Sequence, residues 1–445
     1  MPSMKPHHRL RRQRGAATLI VVMVIFFVIS LVAAYTSRNM IFEQRTSSNQ
    51  YRSTQALEAA EAGLEWALTQ LNFGRITTSC GASTNTGDTS FRQRYLDINA
   101  TTGTIVPRLT AGGAALTSPQ CVFDPAGGNW SCSCPVDDTT STLAPPSGTA
   151  TAPAFRVRFV PLAGALPPSQ PGVIRAEVVG CTRLDATCLD FAGQGQMNEG
   201  RAVVSSLVAL TGNAASTPTA GLTAKGSVTV AATVYNTAPT GSGITVQAGG
   251  PIDSMVVART IAGTPGSASL VPNDPALSLP AATPYSSGDR MFAAVFNMFP
   301  DSFRQQQGGL QKACGVGGCA ASDVRTLIGL NPGRPLWLDG SLVIDSSGDI
   351  GSATEPVLLV VNGDVVFATS GVNIHGLVYV RPAAPATGWA VINSGQVTGA
   401  VVSEGNITGG SGATPTIVHS SEALNRLRGG TGTFVRVASS WRDYQ

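Results

Sequence analysis

The amino-acid sequence predicts an α+β protein in which one long N-terminal helix precedes a chain rich in β-strands. The helix is indicated by an uncharged apolar run over residues 16–34, which continues without proline to residue 72. The β-rich remainder is indicated by composition, since only 12% of the 445 residues are charged and 50 are glycine. A chain of this length is expected to form two or three domains.

The apolar run is long enough to cross a membrane. Its 19 residues make a helix of about 28 Å, close to the roughly 30 Å hydrocarbon core of a bilayer. Five basic residues precede it: Lys5, Arg9, Arg11, Arg12 and Arg14. Because cations stay on the cytoplasmic side, the sequence predicts a cytoplasmic N-terminus, with everything after Tyr35 across the membrane.

This run differs from a secretory signal in its length and in its C-terminal boundary. Signal h-regions have about 7–15 apolar residues and end at a small-residue cleavage site, whereas this run passes directly into a polar helix. The natural cleavage point lies before the run, between Gly15 and Ala16. We therefore expect residues 1–15 to be a short basic leader and residues 16–72 to be one helix.

The second half of the predicted helix has one apolar stripe. Apolar residues recur at three- and four-residue steps: Leu57, Ala60, Leu64, Ala67 and Leu71. The carboxylates Glu58, Glu61 and Glu65 sit beside this stripe, and Trp66 is expected to pack beneath a sheet. The stripe predicts that this half of the helix packs on a domain while the first half stays free.

Four features occur in order along the chain: the leader, the cleavage point, the apolar run and a Glu-Ala-Ala-Glu-Ala-Gly-Leu segment. Together they closely resemble the N-terminal region of the PilX family of type IV pilus assembly proteins, which are minor pilins. The resemblance covers about residues 11–72. It implies cleavage after Gly15 by a prepilin peptidase, methylation of the Ala16 amine and a helix lying on an antiparallel sheet within residues 73–215. It also implies a non-enzymatic protein of the inner membrane and then the pilus fibre. The implied partners are other minor pilins, the major pilin, the inner-membrane assembly platform and a tip adhesin.

One position departs from the pattern of major pilins. These carry a glutamate at the fifth mature residue, where it neutralises the terminal ammonium of a neighbouring subunit, but the fifth residue after Gly15 is Ile20. An unpaired ammonium in an apolar setting costs several kcal/mol. A subunit at the tip has one neighbour fewer, so the substitution favours a priming or tip role. The same absence resembles the K-type minor pseudopilin of type II secretion, which remains the alternative.

The eight cysteines all lie beyond the apolar run, on the side predicted to be oxidising. Cys181–Cys188 and Cys314–Cys319 are close enough in sequence for local disulfides. The pairing of Cys80, Cys121, Cys132 and Cys134 stays open. A zinc site is disfavoured because Cys132 and Cys134 lack the usual two-residue spacer and have no histidine nearby.

Residues 216–445 form the second predicted domain. Short apolar strands recur there between turns rich in glycine, asparagine and aspartate, as in Val357–Val361 with Asn-Gly-Asp directly after it. A parallel β-solenoid and a β-sandwich both fit this pattern, and the sequence favours the solenoid. The aromatic residues Trp441 and Tyr444 near the C-terminus are expected to cap its open end.

Because β-solenoids also occur in carbohydrate-active enzymes, a membrane-tethered enzyme is a further alternative. Polar candidates for such chemistry are spread singly over turns: Asp339, Asp345, Asp349, Glu355, Asp364, His375 and Arg381. Asp345 and Asp349 are also a weak candidate pair for calcium. No cofactor is expected, because the chain has no Gly-Lys pair for a phosphate loop. Removal of the leader's five cations turns the net charge from +3 to −2, which argues against nucleic-acid binding.

Overall fold

The structure is a computed structural model, and it describes residues 16–99, 102–136, 139–140, 143–147, 152–162, 172–193, 199–211, 214, 216–306, 309–382, 389–391, 394–409 and 414–443. The first element is helix α1, Ala16–Leu71. Its 56 residues extend for about 84 Å. The N-terminal half projects alone, and the C-terminal half packs on a domain that we call the head, residues 72–211 and 432–443.

The head contains a short helix and a set of antiparallel strands. They are α2 (Phe91–Tyr95), β1 (Leu96–Ile98), β2 (Ile105–Pro107), β3 (Gln120–Asp124), β4 (Asn129–Ser133), β5 (Ala154–Val160), β6 (Val173–Cys181) and β7 (Arg201–Thr211). Strands β1 and β2 form a small hairpin sheet, and β4, β3, β5, β6 and β7 lie side by side in a larger one. The α+β fold class, with a long helix on an antiparallel sheet, is confirmed.

Small residues bring α1 against this sheet. Ala60, Leu64, Ala67 and Leu71 are buried as the stripe predicts, whereas Leu57 is only partly buried. An added Cβ at Gly180 of β6 would lie 2.2 Å from the backbone oxygen of Ala56. Because the helix touches the strand there without an intervening side chain, the two backbones are as close as their atoms allow.

The flanking residues of the helix also agree with the prediction. Glu58, Glu61 and Glu65 lie outside the buried stripe. Trp66 packs inside the head, with its ring centroid 5.5 Å from the rings of both Phe91 and Phe155. Aromatic pairs at this distance stabilise a core beyond their buried area. Trp66 is therefore a packing residue of the head.

Residues 222–419, which we call the solenoid, come after the main part of the head. Its strands are β8 (Leu222–Ala224), β9 (Val228–Thr229), β10 (Thr233–Tyr235), β11 (Val246–Ala248), β12 (Val257–Arg259), β13 (Leu270–Val271), β14 (Leu310–Ala313), β15 (Cys319–Ala320), β16 (Leu336–Asp339), β17 (Leu342–Ile344), β18 (Val357–Val361), β19 (Val365–Phe367), β20 (Asn373–Val380), β21 (Trp389–Val391), β22 (Gln396–Ser403), β23 (Ile407–Gly409) and β24 (Thr416–His419). Its helices are α3 (Ser287–Phe296), α4 (Pro300–Arg304) and α5 (Ala321–Leu330), with 3-10 turns at Gly266–Ser269 and Pro275–Leu277.

These strands pair in parallel, one coil above the next. One sheet runs β12-β10-β24-β22-β20-β18-β16-β14, and a second runs β15-β17-β19-β21-β23-β9. Leu336 lies beside Leu359, and Leu342 lies beside Val365. All four side chains are buried, so each coil covers the apolar face of its neighbour. The parallel solenoid that the sequence favours over a sandwich is confirmed.

The chain enters and leaves the solenoid at the same place. Strand β8 pairs with one half of β22 and strand β24 pairs with the other half of the same strand. After β24 come helix α6 (Ser421–Gly430) and strand β25 (Thr433–Arg436). Strand β25 pairs antiparallel with β7, which places it in the head's sheet. The solenoid is thus inserted between two neighbouring strands of the head.

Two predictions need correction: the C-terminal boundary of the second domain, and the expectation that C-terminal aromatic residues cap the solenoid. The prediction of one domain over residues 216–445 is wrong at its C-terminal end, because β25 completes the head's sheet. The chain then continues along β7, where the Val437 amide donates to the Leu207 oxygen at 2.9 Å. Trp441 lies near Glu61 and Arg436 beside α1, away from any solenoid end. Tyr444 lies outside the described residues.

All eight cysteines form disulfides. The pairs are Cys80–Cys134, Cys121–Cys132, Cys181–Cys188 and Cys314–Cys319. The first two, whose pairing the sequence leaves open, lie in the head: one joins the loop after α1 to the end of β4, and the other links β3 to β4. In the solenoid, the short loop between β14 and β15 is closed by Cys314–Cys319.

Candidate functional site

The first half of α1 is apolar and exposed around its whole circumference. Every residue from Thr18 to Tyr51 is exposed, including Phe26 at 72% and Phe27 at 65% of their surface. Monomeric soluble proteins rarely leave so large an apolar surface in water. Among the described residues this is the one helix long and apolar enough to cross a membrane. Such a surface is suited to contact with lipid or with other apolar helices.

The hydroxyl groups of Ser30 and Thr36 in this half are already paired inside the helix. The Ser30 hydroxyl donates to the Phe26 oxygen at 2.8 Å, and the Thr36 hydroxyl donates to the Val32 oxygen at 2.7 Å. Such bonds let a hydroxyl enter an apolar medium without an unsatisfied donor. The first charged side chain after Ala16 is Arg38. Residues 16–37 are therefore chemically suited to an entirely apolar environment.

The predicted processing site lies at the beginning of this helix. Gly15 lies outside the described residues, and Ala16 is the first residue of α1. Ile20, the fifth residue after the predicted cleavage point, is 62% exposed on the helix surface. Whatever packs against this turn meets an isoleucine and no charge.

Comparison with known proteins bears on this helix. Residues 14–65 match the family model described as PilX N-terminal. The N-terminal segment of the chain is thus similar to the PilX N-terminal family. No curated protein matches the chain. Among solved structures, it is similar to the competence-associated pilin ComZ from Thermus thermophilus at 12% sequence identity and a TM-score of 0.24, with 88% of this chain and 98% of that chain covered.

Arg92 holds the C-terminal end of α1 in place. Its Nε donates to the oxygen of Leu71, the last residue of α1, at 2.9 Å. Its Nη1 donates to the oxygens of Gly333 in the solenoid, at 3.2 Å, and Gly432 before β25, at 3.0 Å. One guanidinium therefore joins the helix, the solenoid and the returning chain. We call this region the junction.

The electrostatics of Arg92 result from its burial. The side chain is 2% exposed, and burial, with the nearby guanidinium of Arg334, lowers the pKa of Arg92 to about 9. Its favourable contacts are carbonyl oxygens at a helix C-terminus and the ring of Phe434, 5.0 Å away. Sequence reasoning missed Arg92, because its partners are backbone atoms from distant segments that leave no residue pattern.

Glu355, a candidate for chemistry in the sequence, lies at this junction. Its carboxylate accepts a hydrogen bond from Gln93 at 2.8 Å and lies 3.4 Å from the guanidinium of Arg75. Arg75 also donates to the Gly329 oxygen at 2.5 Å. Both partners of Glu355 belong to the head, so its role here is to hold the solenoid against the head.

Three other candidates lie at separate places in the solenoid. Asp339 lies 2.8 Å from Arg304 and accepts a hydrogen bond from the Trp337 indole at 2.8 Å. Asp345 accepts from the amide of Ala321, the first residue of α5, at 3.3 Å. At Asp364, partial burial raises the pKa of the carboxyl above its ordinary value. The structure keeps these carboxylates in separate environments.

Asp349 and His375 are the two candidates that meet. The Asp349 carboxylate lies 3.7 Å from His375 Nε2 and accepts from the Asn373 amide at 2.9 Å. Asn373 also contacts His375 Nε2 at 3.1 Å. Among the described residues, no three His, Cys, Asp or Glu side chains come close enough to hold a metal ion. The weak calcium pairing of Asp345 with Asp349 therefore gains no support.

Arg381 holds two carboxylates that the sequence did not single out. It lies 2.7 Å from Asp289 and 3.1 Å from Glu404, and the Tyr379 hydroxyl donates to Glu404 at 2.9 Å. Burial raises the pKa of Glu404. For Asp289, burial opposes ionisation, but hydrogen bonds from Ser286 and Arg381 hold the pKa below its ordinary value. The network fastens α3 to the C-terminal ends of strands β20 and β22.

Proposed function

We propose that this protein is a minor pilin that assembles into a type IV pilus through helix α1. The observation that carries the proposal is the exposed first half of α1, which is uncharged from Ala16 to Ser37, extends from a folded head and lies within a segment that matches the PilX N-terminal model. In the membrane this half spans the bilayer. On assembly it exchanges lipid for the apolar helices of neighbouring subunits.

The processing and location are consequences of that role. The protein is made with its N-terminus in the cytoplasm and its head and solenoid in the periplasm. A prepilin peptidase cuts between Gly15 and Ala16 and methylates the new amine. The four disulfides suit an oxidising compartment. The partners are the other minor pilins, the major pilin, the inner-membrane assembly platform and a tip adhesin, and the role is structural.

Within the pilus, the protein belongs to the priming or tip complex. Ile20 gives the next subunit's ammonium no carboxylate to pair with, which disfavours repeated use along a shaft. The solenoid supports the same position. It contacts the head at Arg75 and Arg92, just beyond the C-terminal end of α1, and so adds bulk where a further subunit would pack. The tip has room for it.

The test is deletion of the gene with two measurements on the same cells. We expect surface pili to fall at least tenfold while type II secretion continues, and complementation to restore the pili. Gold-labelled antibody against the solenoid is expected to mark fibre ends. Lost secretion with intact pili would favour the K-type pseudopilin, and gold along the whole fibre would contradict the tip position.

The carbohydrate-active alternative is tested in the complemented strain. Alanine is placed singly at Asp349, His375 and Arg381. Because these residues make contacts within the solenoid, we expect each variant that reaches wild-type abundance to restore piliation fully. Loss of piliation at wild-type abundance, together with hydrolysis of a polysaccharide by the wild-type protein, would contradict a purely structural role.

A further inference from the structure

A cavity of about 470 Å³ lies where helices α3 and α4 meet the sheet of the solenoid that contains β16, β18 and β20. The sheet contributes Trp337 of β16, Asn362 directly after β18 and Arg381 directly after β20. The remaining lining residues belong to the two helices and to the segments just before them. The volume lies within the range of small-molecule sites.

A pair of stacked aromatic rings forms one part of this cavity. Tyr285 lies parallel to Phe299, with the ring centroids 3.5 Å apart and an angle of 5° between the ring planes. Both residues line the cavity, and 39% of the surface of Tyr285 is exposed. Because Phe299 supports the Tyr285 ring, this ring offers a firmly held apolar surface. A ligand with a flat apolar face would gain free energy by covering it.

Polar side chains of three kinds line the same cavity. Asp301 supplies carboxylate acceptors, Asn362 supplies an amide that both donates and accepts, and Arg304 supplies guanidinium donors. Asp301 and Asn362 are exposed, and the side chain of Arg304 is 38% exposed, so all three are within reach of a ligand. A hydroxyl group donates and accepts hydrogen bonds at once. A ligand that carries several hydroxyls therefore matches this mixture of donors and acceptors.

The charges around the cavity disfavour an ionic ligand. Two carboxylates, Asp289 and Asp301, and two guanidinium groups, Arg304 and Arg381, belong to the lining. Asp289 and Arg381 lie 2.7 Å apart and neutralise each other. Arg304 is paired in the same way with Asp339, at 2.8 Å. A cation and an anion would each meet a group of their own sign, so a neutral ligand fits better.

We propose that this cavity binds a neutral saccharide. One sugar ring lies with its C–H face against Tyr285, which removes apolar surface of both groups from water. The hydroxyls of the saccharide exchange hydrogen bonds with Asp301, Asn362 and Arg304. No residue of α1 lines the cavity, so a bound saccharide leaves the exposed half of that helix free.

The test uses the full-length protein in lipid nanodiscs, with maltose, cellobiose, lactose and chitobiose as neutral probes. Isothermal titration is expected to show saturable binding of at least one of them, with a dissociation constant of about 1 mM or below. Sorbitol has hydroxyls but no ring, and choline and acetate are ions of opposite sign. Each of these three is expected to bind at least about tenfold more weakly than the best disaccharide. Failure of all four disaccharides to bind, or equal binding of any comparator, would overturn the proposal.

A matched pair of tyrosine substitutions locates the site. Tyr285→Ala is expected to weaken binding of the best disaccharide at least about tenfold. Tyr235→Ala removes a tyrosine that is 36% exposed elsewhere on the solenoid, outside the cavity lining, and it is expected to leave binding unchanged. Thermal unfolding checks that both variants fold as the wild type does. If Tyr285→Ala does not fold, Asn362→Ala takes its place, because it removes an exposed amide from the same cavity. Equal affinity in the cavity variant and in Tyr235→Ala would contradict the assignment.

Discussion

An Ile29→Lys substitution is expected to remove the protein from pili. Ile29 lies deep in the apolar half of α1 and is 60% exposed, so it faces the surroundings and not the head. A lysine near the centre of a membrane-spanning helix costs about 2.5–3.5 kcal/mol. In a fibre core made of apolar helices, its ammonium would also have no carboxylate partner on this chain.

The measurement compares the protein's abundance in sheared pili and in the inner-membrane fraction. Ser47→Lys is the matched control, because it adds the same side chain at an exposed position in the polar half of the same helix. We expect Ser47→Lys to enter pili at the wild-type level and Ile29→Lys to fall at least tenfold. Equal incorporation of the two variants would show that the apolar half of α1 does not mediate assembly.

Arg92→Met is expected to destabilise the protein by about 3 kcal/mol, since it leaves buried carbonyl oxygens without a donor. The affected oxygens are those of Leu71, Gly333 and Gly432. Methionine keeps an unbranched apolar side chain of similar reach, so the lost free energy reports mainly the lost guanidinium. The effect is measured by urea unfolding of the full-length protein in nanodiscs.

The control is Arg108→Met, which changes the same residue type at an exposed position of the head. Arg108 donates one hydrogen bond, to the Gln93 oxygen at 2.9 Å. Its replacement is expected to change the free energy of unfolding by less than about 0.5 kcal/mol. If Arg92→Met unfolded at the same urea concentration as Arg108→Met, Arg92 would not hold the junction together.

Features that depend on local periodicity could be predicted from the sequence. The stripe through Ala60, Leu64, Ala67 and Leu71 has helical spacing, and the buried face of α1 matches it. The solenoid could be predicted because each coil repeats a short apolar strand and a turn, as in Leu336–Asp339 and Val357–Val361. Both patterns lie within a short stretch of chain, where side-chain spacing reports the structure directly.

Features that depend on distant segments could not be predicted. Strand β25 is four residues long and pairs with a strand more than 200 residues earlier, so nothing around Thr433–Arg436 marks it as part of the head. The role of Arg92 could not be predicted either, because its hydrogen-bond acceptors are backbone oxygens, which leave no pattern of residue types. The candidate carboxylates were predicted as isolated turn residues, and most of them contact other residues of the solenoid or the head.

We propose that the protein is cleaved after Gly15 and that the exposed half of α1 is then incorporated into a fibre. Mass spectrometry of the N-terminal peptide from sheared, native pili tests it most directly. We expect a peptide that begins at Ala16 and carries a methyl group on its amine. A peptide that begins at Met1, or a protein found only in the membrane fraction, would contradict it.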